Sequence, residues 1–187
     1  MVPVLETPDG NIIHESAVIA SFASDLQGQE KGLKIWPHEA NPGDLKASMA
    51  TAAMRLEMLG FDKIFGKVWG PFLSRFEDDE KIAAIAGTMD NLEAFVSKNC
   101  NGKNFLSGHD EPMMIDFHCY PMLEMMVLLK DSPWQRGYEK MGVSKCEQIH
   151  GYVERMQKHP ILGSQCRTQA AYDKLMAKWN TLEPGVK

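Results

Sequence analysis

Long apolar runs are missing from this chain: nothing approaches the roughly 18 consecutive apolar residues of a membrane span, and no charged segment followed by an apolar stretch opens it. The expectation is a cytoplasmic protein with no membrane partner. Cysteine is sparse, and Cys100, Cys119, Cys146 and Cys166 stand far apart without a Cys-x-x-Cys pair, so neither a zinc site nor a redox dithiol is written here. The six histidines are dispersed, and His118-x-x-x-Met122 reads as packing rather than a metal pair. No metal is expected. Positive charge is also short: 20 Lys and Arg against 25 Asp and Glu give a net charge of -5. A pI near 5.7 leaves no basic footprint for nucleic acid. Internal repeats and low-complexity tracts are absent. What remains is 187 residues, 44% of them hydrophobic, enough for a sizeable core in one domain or in one domain with a small appendage.

The opening of the chain is its most informative part. Val2, Val4 and Leu5 form a short β-prone run, and Pro3, having no N–H to give to a ladder, places that run at an edge or a strand end. Pro8-Asp9-Gly10 is a turn, Asn11-Ile12-Ile13 a second strand, and Ser16 opens a helix running to about Leu26. A cis bond at Pro3 would turn the Val2 backbone outward, where an extended peptide can pair with it as an added strand. Free amides at the helix start, with the Ser16 hydroxyl, suit a carboxylate, and Glu15 can meet an ammonium group. Pro3 as a plain strand breaker and Ser16 as an ordinary N-cap is the competing reading; the ordered combination of strand, turn, strand and capped helix favours a site for a peptide-like anion.

Val-Pro-x-Leu at Val2-Pro3-Val4-Leu5, followed by Glu-Ser-x-x-Ile at Glu15-Ser16-Ala17-Val18-Ile19, resembles the glutathione transferases. Further on, Leu33-Lys34-Ile35-Trp36-Pro37 is similar to the inter-domain linker of that family. Met114-Ile115-Asp116-Phe117 with Pro121 is similar to its sixth-helix motif, and Tyr152 to Met156 before His159-Pro160 to its seventh helix. The wording is most similar to the omega-like class. The resemblance implies a mainly α fold, with an all-helical C-terminal domain (42–187) joined by a linker (28–41) to a partial thioredoxin-like ββα remnant (1–27). It implies glutathione as co-substrate, bound by Val2, Pro3, Glu15 and Ser16. A small electrophile or disulfide would meet Met54, Met58, Tyr120 and Trp179. In the family a βαβα segment carrying the catalytic Cys, Ser or Tyr precedes Val-Pro. Only Met1 does so here, so no catalytic residue is expected in this chain, and the unpaired edge of the Val2–Glu6 strand invites a second chain. Two functions stay open: thiol transfer or conjugation by an omega-like transferase, and a catalytically silent module serving as an interaction or structural subunit. The family's homodimer, built from the thioredoxin-like part of one subunit and the fourth and fifth helices of the other, is a further expectation.

The remainder reads as helix by its period. Asn41-Pro42 is an N-cap followed by a first helical residue. Leu45, Met49, Ala52, Ala53, Leu56 and Leu59 then form one apolar face on a helix running toward Gly66, expected to face inward. Gly70-Pro71 separates it from a second helix with Ile82, Ile85, Met89, Leu92 and Val96 on its inner face. Pro112 to about Leu129 is apolar around most of its surface, which places it mid-bundle. Lys130-Asp131-Ser132-Pro133 ends it, Val143 to Lys158 turns Ile149, Val153 and Met156 inward, and Ser164 to about Trp179 is the last helix. Trp36 is expected to pin the linker by burying its ring. Asp116, a carboxylate in an apolar run, must accept hydrogen bonds to be tolerated; with Met113 three residues earlier, only half of a capping box survives.

Overall fold

In the computed structural model, which describes residues 4–14, 18, 19, 22, 35–37, 43–160 and 169–181, the chain divides into two compact units, 1–54 and 55–187. The first unit holds a two-stranded antiparallel sheet, β1 (Val4–Glu6) and β2 (Ile12–His14), in the register Val4 to His14, Leu5 to Ile13 and Glu6 to Ile12. The expected turn closes it. Gly10 takes φ +83°, a conformation that costs glycine nothing. The Gly10 N–H donates to the Thr7 carbonyl at 2.8 Å and the Thr7 N–H to the Asn11 carbonyl at 2.9 Å. Asn11 is thereby drawn into the turn, and β2 starts one residue later than its sequence indicates. Trp36, whose ring is expected to be buried, is buried. Of the helix expected over Ser16–Leu26, Val18, Ile19 and Phe22 are described and helical; its other residues and the Asn41-Pro42 start lie outside the described residues.

The first long helix, α1 (Leu45–Phe65), begins after Pro42 rather than at it. Gly43 has φ +81°, which no helix accommodates, and the Asp44 Oδ1 accepts the Lys46 N–H at 2.8 Å in the manner of an N-cap. The face of α1 is also corrected. Leu45, Met49, Leu56 and Leu59 are 74%, 65%, 69% and 57% exposed, and Ala52 and Ala53 are exposed with them. The buried side is the opposite one, carrying Ala47, Thr51, Met54, Met58, Phe61 and Phe65. Both sides of this helix are apolar, so its period cannot say which turns inward; the aromatic side chains, with more area to remove from water, take the inside.

Gly70-Pro71 does not separate the helices. A 3-10 turn (Gly66–Val68) carries the chain from α1 into α2 (Trp69–Leu73). Pro71 sits in the first turn of that short helix, where a missing N–H is tolerated. The chain reverses later, at Arg75 and Phe76, with φ of 55° and 56°. That left-handed pair is held from outside: the Arg136 guanidinium donates to the carbonyls of Phe76 at 3.1 Å and Glu77 at 3.0 Å and to Asp79 Oδ1 at 2.6 Å. Phe61, Phe65, Trp69, Phe72, Phe76 and Trp134 run through this region as a chain of ring contacts, with Phe72 and Trp134 5.0 Å apart edge to face. Each such pair contributes about 0.5–1.5 kcal/mol beyond its buried area.

The expected second helix is two, α3 (Asp79–Ala84) and α4 (Thr88–Cys100), because Gly87 takes φ +78° between them. Ile82, Ile85, Met89, Leu92 and Val96 are nevertheless all buried, as the pattern requires. After α5 (Met114–Leu128) and a 3-10 turn at Leu129–Asp131 comes α6 (Gln135–Lys140), a helix too short to leave a period in the sequence. A third 3-10 turn (Val143–Lys145) precedes α7 (Glu147–Lys158), and α8 (Gln169–Asn180) follows. α7 packs along both α4 and α5, with Ile149, Val153 and Met156 buried. Glu93 of α4 caps it: its two carboxylate oxygens accept the Gln148 N–H at 2.6 Å and the Ile149 N–H at 3.0 Å. This satisfies two of the donors a helix start leaves open.

Asp116, fully buried at the start of α5, ties three segments together. Its Oδ1 accepts the Leu106 N–H at 2.7 Å and the Tyr152 hydroxyl at 3.1 Å, and its Oδ2 accepts the Met113 N–H at 2.9 Å and the Ser107 N–H at 3.3 Å. A thioether cannot return the Asp116 N–H as a Ser or Thr hydroxyl would. That N–H goes instead to the Met113 carbonyl at 2.9 Å, so one half of the reciprocal box is present.

Candidate functional site

The antiparallel register decides what the opening of the chain can build. β1 begins one residue after Pro3, β2 ends one residue before Glu15, and Val4 pairs with His14, so the described residues that flank the two nominated segments in sequence stand opposite one another. Val2, Pro3, Glu15 and Ser16 themselves lie outside the described residues. Toward the other end, Leu5, Glu6, Thr7, Pro8, Asp9, Asn11, Ile13 and Phe22 line an open hollow of about 500 Å³. Leu5 and Ile13 are paired across the strands and face it together. Its rim is the turn, where Asp9 accepts the Thr7 hydroxyl at 2.5 Å and the Asn11 side-chain amide at 2.6 Å. The Thr7 hydroxyl, first of these partners, holds the Asp9 carboxyl below its usual range.

The residues nominated for a second substrate belong to helices. Met54 and Met58 are buried on α1, and Tyr120 is buried on α5. Trp179 lies on α8, and its side chain is outside the described residues. Tyr120 has a partner that the sequence left unremarked: its hydroxyl donates at 2.5 Å to Glu124 Oε1, one helical turn on. The Glu124 carboxylate is itself 1% exposed, with Gln157 Nε2 at 3.4 Å. The i, i+4 spacing of Tyr and Glu within an apolar helix was the available signal. A second pairing had none: His118 Nε2 lies 2.7 Å from Asp62 Oδ1 on α1, and the imidazole meets the Phe61 ring edge-on.

None of the three described thiols is activated. Burial pushes the Cys100 thiol up, and the nearby Arg155 guanidinium only partly offsets it. Cys119 is driven well above its ordinary value by burial and then by the Asp116 and Asp62 charges. Cys146 is pushed up to about 11 by burial and then by Glu93 and Asp90. A nucleophilic cysteine needs the reverse, a cation or helix start favouring thiolate. Cys166 lies outside the described residues. Among the described residues no three His, Cys, Asp or Glu side chains gather as a metal site, and no helix is long and apolar enough to cross a membrane.

No family model matches the sequence, and no curated protein matches it. Among solved structures, the chain is similar to one described as Leishmania TDR1, a unique trimeric glutathione transferase, at 20% identity and a TM-score of 0.70. The match covers 96% of this chain and 38% of that one, so the chain spans well under half the length of its neighbour. At that identity the likeness establishes the fold: a small two-stranded sheet before a helical domain of glutathione transferase type, the mainly α class read from the sequence.

Proposed function

We propose that this chain is a glutathione-binding transferase of omega-like type, passing glutathione's thiol to a disulfide or small electrophile. Val2 and Pro3 present backbone to the tripeptide, and Glu15 and Ser16 hold its γ-glutamyl end. Met54, Met58, Tyr120 and Trp179 meet the second substrate. The boundaries 1–27, 28–41 and 42–187, a cytoplasmic location and assembly with a second copy or a chain covering the strand edge belong to the same reading. One observation supports it: Val4, which follows Val2-Pro3 in sequence, pairs with His14, which precedes Glu15-Ser16, in a chain of transferase-like fold.

The second reading is a catalytically silent module of the same fold. The raised thiols of Cys100, Cys119 and Cys146 favour it. Calorimetric titration of the purified chain with glutathione, together with turnover of a glutathione mixed disulfide, separates the two. Binding that weakens roughly tenfold in Ser16→Ala, the worth of one hydrogen bond to a charged group, supports the first. A folded chain that neither binds nor turns over supports the second.

A further inference from the structure

Asp9-Gly10 and Asn101-Gly102 each set a glycine amide nitrogen within reach of the preceding residue's side-chain carbonyl carbon. The other six asparagines precede Ile, Pro, Leu, Cys, Phe or Thr, where a side chain, or at proline the missing N–H, obstructs such an attack. The fold treats the two pairs oppositely. At the hairpin the Gly10 N–H donates to the Thr7 carbonyl at 2.8 Å, and the Asp9 carboxylate, held low first by the Thr7 hydroxyl, is a poor electrophile that accepts from Thr7 and Asn11. Asn101 and Gly102 are exposed at the end of α4. The Asn101 N–H closes the helix on the Ser97 carbonyl at 3.1 Å, but the Asn101 side-chain amide and the Gly102 N–H have no hydrogen-bond partner among the described residues. Asn101 stands at φ 45°, ψ 46° and Gly102 at φ +79°; the left-handed conformation is costly for an L residue and is readily left. One bond closes the turn beyond it, from the Lys103 N–H to the Cys100 carbonyl at 2.8 Å. Local opening of this turn is enough to bring the Gly102 nitrogen to Asn101 Cγ.

We propose that Asn101-Gly102 is a site of self-modification, where the chain converts without an enzyme to isoaspartyl-glycine and aspartyl-glycine. The Gly102 amide nitrogen gives its proton to hydroxide and bonds to Asn101 Cγ. The Cγ–Nδ2 bond breaks, and the amide group takes a proton from water and leaves as ammonia, which restores the hydroxide. The product is a succinimide ring. Water then opens it: cleavage of the bond to Cγ leaves aspartate, and cleavage of the bond to the Asn101 main-chain carbonyl carbon leaves isoaspartate, with the main chain running through Cβ. Nothing is oxidised or reduced. Either product adds one negative charge to the net charge of -5, at a helix C-terminus where the dipole disfavours it. Isoaspartate also lengthens the main chain, just before the Asn104 carbonyl that accepts from the Arg155 guanidinium at 3.0 Å and the Leu106 N–H that donates to Asp116 at 2.7 Å. The modification therefore loads the junction around Asp116, and it proceeds whether or not the chain binds glutathione.

Incubation of the whole chain at physiological temperature and mildly alkaline pH tests it, followed by intact mass, by peptide mapping that separates the two acids, and by labelling with an isoaspartyl-specific carboxyl methyltransferase and S-adenosylmethionine. The expected result is the mass gain of an amide turned to an acid, confined to the peptide that holds Asn101, with isoaspartate exceeding aspartate. Its rate should rise in proportion to hydroxide and lie within about tenfold of the rate in the urea-unfolded chain, because only a local turn has to open. Asp9 should remain aspartate. Asn101→Gln, whose longer side chain closes a larger ring, should lose the label with the helical circular dichroism unchanged; the comparison of folded and unfolded parent chains needs no variant. A folded chain that gains no isoaspartate, a first gain at another asparagine, a rate indifferent to hydroxide, or labelling that persists in Asn101→Gln would each overturn the assignment.

Discussion

Two aspartates in this molecule have similar hydrogen-bonding company and opposite fates. Asp9, on the hairpin turn, accepts from a threonine hydroxyl and an asparagine amide, and its carboxyl is held low. Asp116, at the start of α5, accepts three backbone amides and a tyrosine hydroxyl, yet burial, the largest influence, lifts its carboxyl above 3.8. Water makes the difference. Around Asp9 solvent stabilises the charge and the partners add to it, whereas around Asp116 the partners only partly replace the solvent that folding removed. The turn is thus a local device that could be rebuilt cheaply, and the Asp116 junction is one on which three segments depend.

The most severe way to break that contrast is Asp116→Ala. It strands three amides and a hydroxyl in the core, and a loss of about 3–5 kcal/mol in urea unfolding is expected; Asp9→Ala should leave the unfolding midpoint of the helical domain where it was. Next in size is Gly137→Ala. An added Cβ would sit 2.5 Å from the Phe76 ring, in the region Arg136 holds, and overpacking of this kind costs about 1–3 kcal/mol. Gly60→Ala is its control: nothing lies within 4 Å of that position, so the helix should gain up to about 1 kcal/mol. Glu93→Ala removes the cap of α7 and should cost about 1–2 kcal/mol, with Glu93→Gln recovering part of it.

The smallest effect sharpens the comparison most. A carboxyl raised in the folded state binds its proton more tightly there than in the unfolded chain, so its contribution to stability is full below 3.8 and declines as pH climbs through the raised folded value. Asp9, lowered, behaves in reverse, contributing above 3.8 and losing that contribution as acid protonates it. The stability gap between the parent and Asp116→Asn should therefore be narrower at pH 7 than at pH 4. A gap that widens toward neutrality would show that the four donors outweigh burial.

Local chemistry was legible in the sequence; facing was not. Pro8-Asp9-Gly10 specified its turn because Pro8 fixes one φ, Gly10 takes a positive one and the Asp9 carboxylate accepts from Thr7 and Asn11, and α5 announced its central place by being apolar all round. α1 misled because its two apolar stripes lie on opposite sides, and only tertiary packing of Phe61 and Phe65 chooses between them. Gly70-Pro71 looked like a break although proline is harmless in a first turn, whereas Gly87, a real break, is a single glycine in a regular apolar pattern. Of the candidate site, the Tyr120–Glu124 pair could have been read from its spacing. The Asp62–His118 pair, 56 residues apart in sequence, could not. Val2, Pro3, Glu15 and Ser16 rest on their motif and on the pairing of their neighbours.

The Glu93 cap gives the bundle a built-in reporter. The amides of Gln148 and Ile149 are tied to a side chain of a different helix, so their exchange requires this contact between α7 and α4 to open. Their deuterium uptake, followed residue by residue, would time the parting of the two helices and give the free energy of that opening against complete unfolding.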